Sequence, residues 1–141
     1  MKYDVILIED KLKDLFPNNP FNLKNDLKKI GIELKEKIIQ EVVCQIVMGF
    51  NRKECVKLDY KIDNNNKIYI ILAKIRIKLE NERKKVSLRC ITLVDKTNML
   101  CIILHIYAKN KKEDLSANEL KLAKKILSYY YNEVIKENEN E

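Results

Sequence analysis

Five cations gather on segments that read as neighbouring strands and the turn that follows them: Arg76 and Lys78 in AKIRIKL, Arg89 in VSLRC, and Lys109 and Lys111 past the last strand in YAKNKK. Guanidinium and ammonium groups gathered in this way suit the stabilisation of negative charge on a phosphate. If that phosphate lies in RNA, the nucleophile is already present as the adjacent 2′-hydroxyl. The protein then has to orient the strand, move protons and hold the charge that develops on the phosphate oxygens. Crowding of cations lowers a lysine's pKa and allows proton transfer near neutrality. Lys74, Lys84, Lys85, Tyr107 and Lys112 lie beside these five and are the expected contacts to flanking RNA.

Other chemistries lack their residues. Two glycines cannot build a Gly-rich phosphate loop, and H-E-x-x-H, G-x-S-x-G and clustered carboxylates are absent. Cys44, Cys55, Cys90 and Cys101 show no C-x-x-C spacing and no histidine pair, so no zinc site, metal or cofactor is expected. They read as packed, reduced thiols of a cytoplasmic protein, with Cys90 and Cys101 near each other across a hairpin but unbridged. His105, inside an apolar strand, reads as a core histidine. Tyr129, Tyr130 and Tyr131 read as packing rather than as platforms for bases. Arg89, within a strand, must reach solvent, a ligand or a carboxylate such as Glu80 or Glu82.

The charge is unevenly spread. The chain has 141 residues and a net charge of +7. Residues 67–112 hold 12 basic and 3 acidic side chains, a balance of +9, whereas 1–66 stand at +1 and 113–141 at −3. A field concentrated in one segment favours a polyanion, RNA or DNA, as partner. The alternative is a solvated lysine face. A membrane partner is not expected: the longest apolar run, MLCIIL at 99–104, is far short of the roughly 20 residues a span needs. MKYDVILIED reads as a strand, not a signal peptide.

The elements that must position these cations can be traced by period. Residues 3–9 form a first strand, and 11–16 add a helical turn closed by PNNP. Asn22 caps a helical pattern that Gly31 interrupts, giving helices over 22–30 and 33–48, the second ending at Gly49. VKLDYKI, 56–62, alternates as a strand and DNNN is a turn. In the strand 68–79, Tyr69, Ile71, Ala73, Ile75, Ile77 and Leu79 form one apolar face; the other runs Ile68, Ile70, Leu72, Lys74, Arg76, Lys78 and turns from apolar to basic halfway. A charged loop, ENERKK, leads to strands 86–94 and 99–108 joined by DKTN. Ser116 and Glu119 form a capping box, with Leu115 stapling onto Leu120, for a helix over 117–136. The whole reads as one α+β domain over 1–136 with a frayed acidic tail, 137–141: strand, helical hairpin, antiparallel sheet of four to five strands, C-terminal helix.

From about residue 70 to 127 the chain resembles the RelE/HigB family of toxin ribonucleases, through AKIRIKL, KKVSLRCITLVD and HIYAKNKKEDLSANELKLAKK. Val86, Ser87 and Leu88 stand where that family commonly has glycines before the strand arginine. The resemblance implies metal-independent cleavage of mRNA in the ribosomal A site and inhibition by a cognate antitoxin. By position, Arg76 and Lys78 match the family's basic strand pair, Arg89 its phosphate-binding arginine, and Lys109 and Lys111 a further functional cation. A non-catalytic alternative stands beside it: a phage or mobile-element protein using the same basic sheet to bind RNA or a defence nuclease. A DNA-binding or antitoxin-like regulator ranks lower, because no recognition helix carries the charge.

Overall fold

Isoleucine-rich alternation builds the centre of the molecule. The computed structural model describes residues 3–8, 16, 19, 21–62, 68–80 and 85–135, with the backbone alone at 68–69 and 134–135. The expected helical turn at 11–16, PNNP, DNNN, the interior of ENERKK with Lys84, and the acidic tail lie wholly or largely outside these residues. Strand β1 (Asp4–Leu7) is followed by helices α1 (Leu23–Ile30) and α2 (Lys35–Met48), then strands β2 (Cys55–Ile62), β3 (Ile68–Glu80), β4 (Lys85–Asp95) and β5 (Leu100–Ala108), and helix α3 (Ala117–Tyr130).

The five strands form one sheet in the order β1-β5-β4-β3-β2. Pairing is antiparallel from β2 to β5, but β1 lies parallel to β5, from Asp4 opposite Leu100 to Leu7 opposite Ile103. The α+β expectation holds, with the sheet mixed at that edge. Parallel pairing requires a long crossover, and here α1, α2 and three strands intervene in the sequence.

Strand alternation sends side chains into two cores. Ile71, Ala73, Ile75 and Ile77 of β3 pack with Leu23 and Leu27 of α1 and Ile38, Val42 and Ile46 of α2. Ile70 and Leu72 pack with Ala123, Ile126 and Leu127 of α3 on the opposite face. Each of the isoleucines, leucines and valines contributes roughly 1.5–3 kcal/mol on burial. Asn22 caps α1 through its side chain, and Gly31 separates the helices at φ 124°, where an added Cβ would meet the Glu33 carboxylate at 2.6 Å.

One irregularity matters for the site. Ile91 pairs with His105 but Thr92 pairs with Ile103, so Leu104 is an extra residue in β5. The bulge reverses the alternation, as an inserted residue must. Ile106 then joins the α1/α2 core and Tyr107 the α3 core.

Candidate functional site

Helix α3 covers Ile70 and Leu72 of β3 but not the half of that face beyond Leu72, where Lys74, Arg76 and Lys78 follow at strand period. Exposure increases along this row: Lys74 is buried, Arg76 half-buried and Lys78 exposed. Arg76 lies directly opposite Arg89 of β4. Like charges placed so repel, and the chain supplies an anion between them.

That anion is Glu113. Its Oε1 accepts from Arg89 Nη2 at 3.1 Å and from Arg76 Nη2 at 3.2 Å, while its Oε2 takes a second bond from Arg89 Nη2 at 3.1 Å. Arg89 itself is buried, its side chain only 5% exposed, whereas Glu113 is 43% exposed. Asp114 pairs in the same way with the Lys74 ammonium. Hydrogen bonding from Arg89 holds the Glu113 carboxyl below the usual range, and bonding from Lys74 does the same for Asp114. The carboxylate expected to meet Arg89 was Glu80 or Glu82. Glu80 instead pairs with Lys85 at 3.3 Å, Glu82 lies outside the described residues, and the partner comes from the turn after β5.

The backbone around the arginines is fixed. Arg52 binds the Gln45 and Gly49 carbonyls at 2.7 and 2.9 Å, closing the C-terminal end of α2. The following residues then accept from Arg76, the Lys53 carbonyl from Nη1 at 3.0 Å and the Glu54 carbonyl from the amide at 2.8 Å.

Arg76, Lys78, Arg89 and Lys109 share one cleft of about 380 Å³. Lys53 adds a fifth cation to its lining, against the carboxylates of Glu41, Glu54 and Glu113. A second groove, about 770 Å³, adjoins it through Ser87 and Lys109 and is lined by Lys29, Lys85, Lys111 and Lys112. The structure thus brings four of the five expected catalytic cations into one cleft and places Lys111 in the neighbouring groove.

The expected RNA contacts divide. Lys85 is exposed, Lys74 is buried on Asp114, and Lys84 lies outside the described residues. Lys112 binds Glu119 at 2.6 and 2.7 Å and lies 4.7 Å over the Tyr107 ring. Tyr107 is 6% exposed and its hydroxyl donates to the Glu113 carbonyl at 3.2 Å. Its hydroxyl braces the turn and its ring faces Lys112. His105 is buried, with Nδ1 2.8 Å from Asp26 Oδ2 and its ring stacked on Phe21, which ties α1 to the edge of β5. Tyr130 and Tyr131 spend their hydroxyls on Asp95 and on the Ile62 carbonyl, and Tyr129 sets its ring edge-on to Phe16.

All four cysteines are free. Burial pushes the Cys55 thiol up to about 11 and those of Cys90 and Cys101 up to about 12; Cys44 is exposed. Among the described residues no group of three or more His, Cys, Asp or Glu side chains is placed to hold a metal ion. None of the described helices is long and apolar enough to cross a membrane. No family model, curated protein or solved structure matches this chain.

Proposed function

We propose that the protein is a metal-independent endoribonuclease, and that its substrate is mRNA bound through backbone phosphates in the cleft between β3, β4 and the turn after β5. The observation that carries this reading is the convergence of Arg76 and Lys78 of β3, Arg89 of β4 and Lys109 of the turn after β5 on one cleft. Attack of a ribose 2′-oxygen on the adjacent phosphorus expels the 5′-oxygen, leaving a 2′,3′-cyclic phosphate and a 5′-hydroxyl. The attacking hydroxyl gives its proton to a carboxylate of the cleft lining, Glu41 or Glu54, and the leaving oxygen gains one from a lysine there. Lys78 and Lys109, exposed at the cleft, are suited to hold the extra negative charge of the transition state and to supply the second proton. The resemblance of residues 70–127 to the RelE/HigB toxins supports a toxin role on the ribosome, countered by an antitoxin.

The test is incubation of purified protein with defined single-stranded RNA, with and without ribosomes, in the presence of a chelator. Discrete products with cyclic phosphate ends are expected, reduced about a hundredfold or more in rate by Lys78→Ala/Lys109→Ala. Intact RNA in both arms would refute the activity. One observation favours the non-catalytic alternative: Glu113 holds donors of both Arg76 and Arg89. RNA bound with salt-sensitive affinity but never cut would establish that reading instead.

A further inference from the structure

The Arg76–Arg89 pair has a second property, which rests on the reading of this cleft as a phosphate site. We propose that the pair is a phosphate subsite for an RNA strand, and that Glu113 occupies it as an internal stand-in which the incoming phosphate displaces. The cations are carried on paired strands and the anion on a turn. Arg89 is buried on β4 with Nη1 donating to the Leu88 carbonyl at 3.2 Å, and Arg76 is held on the Lys53 carbonyl. Glu113 stands in the turn between β5 and α3 with its side chain 43% exposed, against 5% for Arg89.

A carboxylate also fits this site incompletely. Arg76 Nε is buried and has no hydrogen-bond partner. A carboxylate has two oxygens for the facing guanidiniums, whereas a phosphate projects its oxygens tetrahedrally and carries more charge to share. Two arginines side by side are a common means of holding such a group. Lys78 and Lys109 line the same cleft and raise the local concentration of phosphate where Glu113 would have to yield. Asp114 needs no displacement, since its partner Lys74 lies nearer the α3 end of the row.

The experiment is titration of the full chain with inorganic phosphate and with a short single-stranded RNA, by calorimetry, using wild type, Glu113→Gln and Glu113→Asp. Loss of the competing charge is expected to tighten phosphate binding by at least about tenfold in the Gln variant. Thermal unfolding of that variant is expected to move up with added phosphate more than wild type does. RNA affinity should move in the same direction. A folded Gln variant with unchanged phosphate affinity would overturn the subsite. If the Gln variant does not fold without ligand, the shortened carboxylate of the Asp variant carries the test, and unchanged affinity there would be equally decisive. A gain for inorganic phosphate without a gain for RNA would overturn the RNA assignment. None of these readings depends on cleavage, so an inactive protein that gains phosphate affinity would refute the nuclease and uphold the subsite.

Discussion

Arg76 and Arg89 lie opposite each other across β3 and β4, an arrangement that repels until an anion is set between them. Glu113 supplies that charge, Asp114 pairs beside it with Lys74, and the pH dependence of the two carboxyls has a definite sign. Both carboxyls titrate lower in the folded chain than in the unfolded one, from ordinary values of 4.5 and 3.8. Their contribution to stability is therefore complete above those values and is lost as pH falls through the lowered ones. Unfolding midpoints measured from pH 6 downward should drop more steeply for wild type than for Glu113→Gln/Asp114→Asn once pH passes below about 4.5. Parallel curves would show that the acid pair adds nothing. Thiol chemistry follows burial at the same scale. Native protein treated with a thiolate-selective reagent at neutral pH should be modified at Cys44 alone, because the other three thiols are buried and their pKa values are raised. Modification at Cys90 without unfolding would contradict the sheet packing.

Helix α3 is the element that sets the turn carrying these acids. Its Ser116 hydroxyl accepts from the Glu119 amide at 3.1 Å, and the Glu119 carboxylate accepts from the Ser116 amide at 2.9 Å, completing the capping box. The same carboxylate holds Lys112, so one residue secures both the helix start and the end of the basic turn. Ser116→Ala should cost about 1 kcal/mol by denaturant unfolding. Much of this was legible beforehand, for local reasons. The 2- and 3.6-residue periods, the cap at Ser116 and the break at Gly31 are properties of short segments, so β2 to β5 and the first two helices fall close to their expected bounds, while α3, expected to run to 136, gives way to a π turn at Tyr131–Ile135. The parallel docking of β1 on β5 was not legible, because an apolar run does not specify its partner. The bulge at Leu104 was hidden for a related reason: in a strand buried on both faces, the extra residue breaks no visible alternation. At the site, the cations could be read from strand parity. Glu113 was not legible as the partner of Arg89, because Glu80 and Glu82 stand nearer to that arginine in the sequence. The signal was present in an acidic pair immediately after KNKK.

Across the whole molecule, the sequence's charge asymmetry is partly folded away. Glu113, Asp114 and Glu119, from the acidic C-terminal segment, lie on Arg76, Arg89, Lys74 and Lys112 of the basic one. Among the described residues, the cations left exposed here include Lys53, Lys78 and Lys109 at the cleft and Lys85 and Lys111 along the adjoining groove. RNA affinity should therefore fall with salt, and removing Lys78 and Lys109 should lessen the slope of log K against log salt by about 1.4, at roughly 0.7 per phosphate contact on a single strand. An unchanged slope would place the RNA elsewhere on the surface. The central claim, that this cleft cuts RNA, is tested most directly by inducing expression of wild type and Lys78→Ala/Lys109→Ala in cells and mapping mRNA ends. Growth arrest with discrete mRNA cuts in wild type, both lost in an equally abundant and folded variant, is the predicted result. Intact mRNA and normal growth with folded wild-type protein, or cuts that persist in the variant, would contradict it.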